Sequence, residues 1–296
     1  MNKFLNAVLA VLITISGLSF AQEKSEQKSK AQQLIESSGK RSVEKQRQKE
    51  QEKVVQEAID AFIAGQNILL LLQHGEVEKA KVQLQKLKKK MESIQKEYKG
   101  KLERLPIATI LYEINGVSDI ETAKKIAEQA KKAIQENDFV KARALLEALR
   151  NEIIIETQYL PIDIYKKAVD LSLQFLNKGD KEKAIESLKL AVNSIEVETT
   201  IIPRPIAEAA ILVDDASKIY KKDMDTALRL LDQAKENIKL AKVLGYIKSE
   251  EEVKPLVAQI EALETAIKTK KVTTKGLFKE LKKSIKQTQE KSTQTR

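Results

Sequence analysis

The feature that most restricts how this chain of 296 residues can fold is an internal repeat. Gly75-Glu76 leads to Ala80 and Leu84, and Asn137-Asp138 to Ala142 and Leu146. Gly179-Asp180 leads to Ala184 and Leu188, and Lys222-Asp223 to Ala227 and Leu231. Each copy has a turn residue, an acid, an Ala five residues after the turn residue and a Leu four beyond that. The chemistry is that of helix, tight turn, helix. Gly or Asn accepts the left-handed conformation that ends one helix, and the acid caps the next and favours its positive end. The small Ala lets the two helices approach, and the Leu fills the gap one turn later. Lys222 is the weak member, because a lysine has no such ease at the end of a helix.

The turns fall at 75, 137, 179 and 222, at intervals of 62, 42 and 43 residues. The long first interval holds an insertion, KGKLERLPIATILYEINGVSD. The offset of 42 also aligns two strand-like pieces, IIIETQYLP (153–161) and IEVETTIIP (195–203). Ile153, Ile155, Thr157 and Tyr159 of the first lie on one face of an extended strand, as do Ile195, Val197, Thr199 and Ile201 of the second. Pro161 and Pro203 end the pieces and begin the next helices, where a missing N–H does no harm. Equivalent repeat positions suggest parallel pairing, and a third copy is placed at Leu105-Pro106 with a weaker run before it. The fold class expected is mainly α, built of antiparallel helix hairpins with a period of about 42 residues and short extended segments between them.

The rest of the chain fits a helical protein. Few breakers (9 Gly, 5 Pro) interrupt a chain rich in Ala, Leu, Lys and Glu. Ile120, Ala123, Ile126, Ala127, Ala130 and Ile134 form a helical stripe behind a capping box of Ser118 and Glu121, and Ser249 with Glu252 opens a later helix. VVQEAIDAFIAGQNILLLL from Val54 is apolar on most faces between Ala61 and Leu72, which suits a helix buried centrally or in an oligomer. Gly65 within it marks a close helix–helix approach. Residues 22–50 are polar and low in complexity and read as a disordered or loosely helical lead; 51–286 read as a single helical domain and 287–296 as a disordered tail.

Residues 1–21 read as a cleaved signal peptide. Lys3 supplies a basic start, an apolar run extends from Ala7 to Leu18, and Ser19-Phe20-Ala21 offers a cleavage site after Ala21. No Cys follows, so lipoprotein processing is excluded, and the chain has no cysteine for disulfides or thiol chemistry. With a formal net charge of +10, an exported protein faces anionic lipid, cell-wall polymers or acidic partners.

No catalytic, cofactor-binding or metal-binding residues are assigned. GxSxG, GxxxxGK[ST], GxGxxG, HExxH and EF-hand patterns are all missing. The single histidine, His74, stands at the first turn and reads as a polar residue near a helix end. Carboxylates such as Asp214-Asp215 read as solvated helix faces, and so do the basic clusters Lys88-Lys89-Lys90 and Lys268, Lys270 and Lys271. Aromatics are too few, and not interleaved with the basic residues, for a nucleic-acid platform. KGDKEKAIESL (178–188) is similar to half of a tetratricopeptide repeat, but a period near 42 rather than about 34 favours a different paired-helix fold.

Leu160-Pro161-Ile162, IIPRPI (201–206) and the ending at 244–285, above all Leu244-Gly245-Tyr246 and Gly276-Leu277-Phe278, resemble the YfdX family of exported bacterial proteins. The resemblance covers roughly residues 50–286. It implies a mainly helical fold, a periplasmic location, a homo-oligomer and a link to stress, notably acid. It brings no established enzymatic activity and no catalytic motif to carry over. The expected function is therefore a non-enzymatic exported helical protein, an oligomeric binding or chaperone-like module in envelope stress. The alternative is a structural or adaptor protein docking through a basic surface on anionic lipid, cell wall or an acidic partner.

Overall fold

A computed structural model describes residues 29–296. The proposed signal peptide and its cleavage site after Ala21 lie outside the described residues. Among these, eleven helices and four strands follow one another: α1 (Lys30–Gln51), α2 (Gln56–Gln73), α3 (Val77–Tyr98), β1 (Arg104–Ile114), α4 (Ile120–Gln135), α5 (Phe139–Ala148), β2 (Glu152–Pro161), α6 (Ile162–Asn177), α7 (Lys181–Asn193), β3 (Glu196–Pro203), α8 (Arg204–Ile219), α9 (Met224–Val243), α10 (Glu250–Lys268), α11 (Thr274–Ser292) and β4 (Gln294–Thr295). The protein is mainly α. No single described helix is long and apolar enough to cross a membrane.

All four repeated turns join packed helices: α2–α3, α4–α5, α6–α7 and α8–α9. Gly75, Asn137 and Gly179 have φ of +79°, +59° and +79°. The N–H that follows each reaches back to a helix carbonyl, from Glu76 to Leu71 (2.9 Å), from Asp138 to Ala133 (2.8 Å) and from Asp180 to Phe175 (2.9 Å). Asp138, Asp180 and Asp223 cap the following helices by accepting from the N–H groups of Lys141, Lys183 and Thr226, whereas Glu76 makes no side-chain cap. Lys222 avoids the left-handed region altogether: its turn closes through Asp223 N–H to Ile219 O at 2.9 Å. The cap of α4 is Asp119 rather than Ser118, accepting from Thr122 N–H at 2.8 Å. Ser249 stands at the start of α10 without a side-chain cap bond.

The strand-like pieces do pair, but antiparallel, in a sheet of order β1-β2-β3-β4. Topology explains the direction. A single crossover helix carries a chain to the far end of a sheet and gives parallel strands. A helix hairpin returns the chain to the end it left, so each strand runs against its predecessor. Ile153 therefore faces Ile202, and Ile155 faces Thr200. This register, which sets Val197 opposite Gln158, puts repeat-equivalent residues on opposite faces of the sheet: Ile153 and Ile155 are buried with Ile202, while Val197 is 58% exposed. The segment read as an insertion contains β1, whose Leu105-Pro106 opens the strand rather than closing one.

Two larger cores hold the molecule. One joins α2–α3 to α6–α7; the other joins α8, α9, α10 and α11, with Leu34 and Ile35 of α1 against it. In the first, a Cβ on Gly65 would overlap the hydroxyl of Tyr165, which donates to Ala61 O at 3.1 Å, so Gly65 does mark a close approach. Only one face of α2 enters this core, and Ile63 and Leu70 are exposed. The repeated alanines are all buried, as are Leu84, Leu188 and Leu231, but Leu146 is 49% exposed because α4–α5 packs at the periphery, against α9.

Both ends of the described chain are packed elements: the lead, expected to be disordered or loosely helical, is a docked helix, and the tail, expected to be disordered, continues a helix and ends in a short strand. From Lys30 the lead is a helix packed on α8 and α9, with Ala31, Ser38, Gly39, Ser42 and Val43 buried. Its small polar residues are the contact face. Ser38 and Ser42 hydroxyls donate to the carbonyls of Ile35 and Gly39, both at 2.7 Å, which satisfies them without water. Gly39 leaves room for the Arg204 guanidinium and the Glu208 carboxylate. At the other end, α11 continues to Ser292, and β4 adds to β3 with Arg296 and Thr199 exchanging two backbone bonds of 2.9 Å.

Candidate functional site

The inner face of β2 and β3 is not fully covered. α1, α8 and α11 stand around it and enclose a cleft of about 620 Å3, within the range of small-molecule sites, roughly 300–1,000 Å3. Ile155 on β2, Ile202 on β3, and Ala207, Ala210 and Ile211 on α8 give it an apolar floor and wall. The antiparallel register puts Thr157, Tyr159, Glu198 and Thr200 in the same row.

Its rim is charged. Lys45 and Lys49 on α1, with Lys53 beyond its end, are spaced by four and so share a face, as do Lys282 and Lys286 on α11. Lys53 pairs with Glu50 at 2.7 Å, Lys286 with Glu290 at 3.7 Å, and Lys282 with Asp214 at 2.7 Å while also bonding Ser217. Lys45 and Lys49 are exposed and have no ion-pair partner among the described residues.

The carboxylates are all engaged. Glu198 pairs with Arg104, whose guanidinium lies 4.2 Å from the centre of the Tyr159 ring and also meets Glu196 at 3.1 Å. Burial, with Glu198 beside it, pushes the Tyr159 hydroxyl above the ordinary phenol range. Burial also works against the Asp214 carboxylate, but hydrogen bonds from Lys218 and Lys282 outweigh it and hold its pKa below the usual value. Next to the cleft on α8, burial raises Glu208 even though Arg204 donates to it at 2.8 Å. Each carboxylate lining the cleft is thus tied to a lysine or arginine, and the cleft offers an apolar surface bordered by cations.

Of the charged groups singled out in the sequence, only Asp214 reaches this cleft, beside Ile155, Thr157 and Tyr159 of the first strand-like piece; Asp215 pairs with Arg41. His74 is exposed at the end of α2. Lys88 and Lys90 pair with Asp170 and Asp60, at 3.3 and 2.9 Å. Lys268, Lys270 and Lys271 meet solvent at the α10–α11 turn. Among the described residues no group of three His, Cys, Asp or Glu is placed to hold a metal ion. The four-residue spacing of the cleft lysines is legible in the sequence, but nothing local indicates that these helices stand across from the same sheet.

The end of α9 is also fixed by side chains. Gly245 takes φ +82°, and the Tyr246 hydroxyl accepts from Asn151 N–H at 2.8 Å and donates to Glu152 at 3.2 Å. Leu244-Gly245-Tyr246 therefore locks the second core to the start of β2.

The chain matches no curated protein. Among solved structures it is similar to YfdX of Salmonella Typhi, at 17% identity, over 49% of this chain and 90% of that one, with a TM-score of 0.34. The family model for YfdX protein matches residues 61–201, which run from α2 through most of β3 and take in three hairpins and the three long strands. Through that segment the chain belongs to the YfdX family.

Proposed function

We propose that this protein is a non-catalytic binding module, exported to the periplasm and oligomeric there, that holds client or ligand under envelope stress, including acid. The observation that carries the reading is the cleft: an apolar floor on a rigid sheet, open to solvent, with every carboxylate engaged by a cation. Such a surface suits capture of apolar groups better than proton transfer, which needs carboxylates of separated pKa facing a substrate. The test is suppression of aggregation of an acid-unfolded client at about pH 4, where carboxylates titrate. The native chain is expected to keep the client soluble, and Ala210→Trp, which fills the cleft, to reduce the effect. A native chain without effect, or a filled cleft that works as well, overturns the reading.

A second reading, docking through a basic surface on an anionic partner, is favoured by the unpaired lysines of the α10–α11 turn.

A further inference from the structure

We infer that the α10–α11 turn is a docking surface for an anionic phospholipid bilayer; this rests on the second reading above and assigns it a place and a partner. Between Glu264 and Glu280 the sequence contains five lysines, at 268, 270, 271, 275 and 279, and no acidic residue. All five are exposed, and none takes part in an ion pair among the described residues, although lysines elsewhere on α9 and α11 do. In their midst Val272 is 99% exposed at the apex of the turn.

Two features show that local stability does not account for this composition. Lys270 takes φ +52°, in the left-handed position that Gly75, Asn137, Gly179 and Gly245 occupy in equivalent turns. Its turn makes the same closing bond, Lys271 N–H to Ala266 O at 2.9 Å. A side chain there is disfavoured relative to glycine, because its Cβ crowds the following carbonyl oxygen. Lys275 lies in the first turn of α11, where the helix dipole favours an acid and none is present. Charge is retained at two positions where the backbone would favour something else.

The turn is also held rigidly. Thr274 is buried and its hydroxyl donates to Lys271 O at 2.6 Å, and Phe278 packs on Tyr220 with ring centres 5.2 Å apart. A fixed convex tip with an apolar apex and a collar of lysines matches the head-group region of an anionic bilayer, where lysine stems lie along apolar material and their ammonium groups meet phosphate. Phe278, the one aromatic in the stretch, is buried, so no ring is free to stack on bases.

The test is flotation of the full chain with vesicles of phosphatidylcholine alone and of equimolar phosphatidylcholine and phosphatidylglycerol, at low and high salt. Any contribution of the apolar N-terminal leader is common to every variant. Binding beyond the level seen with phosphatidylcholine alone is expected with phosphatidylglycerol, and this excess is lost at high salt. Each lysine removed lowers partitioning about fivefold, so the Lys268→Gln, Lys270→Gln, Lys271→Gln triple variant falls on the order of 100-fold. The control triple Lys86→Gln, Lys89→Gln, Lys96→Gln, on α3, retains most binding. Lys270→Gly separates folding from docking: it is expected to raise the melting temperature while weakening vesicle binding. Absence of charge-dependent binding by the native chain overturns the docking reading as a whole. Equal loss in the two triple variants overturns this surface alone. Preference for a soluble polyanion over vesicles at matched charge overturns the choice of lipid.

Discussion

Gly65 and Tyr165 show how much a single atom decides here. A methyl group at Gly65 would meet the hydroxyl that Tyr165 donates to Ala61 O, in a core where Tyr165 is fully buried and burial drives its pKa up. Alanine improves helix propensity by about 1 kcal/mol, but overpacking a closed core costs about 1–3 kcal/mol, and the displaced hydroxyl loses its partner. Gly65→Ala is expected to lower stability in denaturant unfolding, and adding Tyr165→Phe to recover part of the loss. Strict additivity of the two changes would show that the contact does not matter. The sequence flagged Gly65 because a glycine inside an apolar helix has few other uses. It could not name the partner, which lies 100 residues away in sequence. It also suspected Lys222 of strain, yet the left-handed lysine is Lys270, because the α8–α9 turn closes by a different route.

At the level of elements, the hairpins were legible and α1 was not, for one reason. A hairpin is written in local spacing: turn residue, acid, Ala, Leu. α1 docks through Ala, Ser and Gly, whose smallness reads as low complexity until a partner surface is present. Its seat is the cluster formed by Arg204, Glu208 and Glu113, with Arg204 2.8 Å from Glu208 and 3.3 Å from Glu113. Gly39→Leu pushes that cluster apart, and overpacking of about 1–3 kcal/mol lowers α1 protection roughly tenfold or more in hydrogen exchange. α8 and α9, which also pack on each other and on α10 and α11 in the second core, should keep most of theirs; uniform loss throughout the molecule would contradict independent docking of α1. β1 was missed for a related reason. Its leading Leu105-Pro106 resembles the closing Leu160-Pro161 of β2, and only sheet pairing shows that the two strands run in opposite directions.

For the whole molecule, acid response is set by carboxylates, since the one histidine, His74, is exposed at a turn. Burial opposes the charged forms of Asp170 and Asp214, but lysine hydrogen bonds overcome it and hold both below the usual range. Hydrogen bonds from Thr122, Lys183 and Thr226 do the same for Asp119, Asp180 and Asp223. A depressed carboxylate stabilises the fold fully above its unfolded pKa, about 3.9, and loses that contribution as pH falls through the lower folded value. Glu208, raised by burial, works the other way and adds stability as pH falls through its raised value. The melting temperature should therefore hold or rise slightly from pH 7 to about pH 5 and drop only below about pH 4; a steep loss between pH 7 and 5 would contradict this balance. On the proposed acid role, subunits separate while the fold persists, so chromatographic size falls between pH 7 and about pH 4. An unchanged size sinks that part of the proposal.

Taken alone, the sequence determined what depends on neighbours along the chain: four helix hairpins, their Gly and Asn turns, the aspartate caps and the extended character of two proline-ended pieces. It carried enough of the family's pattern to be placed in it. Tertiary structure decided what depends on residues far apart. The return of each hairpin to its starting end made the sheet antiparallel, and the register of β2 on β3 sent equivalent residues to opposite faces. The covering of one face by α1, α8 and α11 made a cleft from helices at both ends of the chain. The second core left the lysines of the α10–α11 turn facing solvent without acids beside them. Spacing encodes a helix and its cap because those bonds close within four residues; sheet direction, cleft and exposed turn arise only when distant surfaces exclude water from one another.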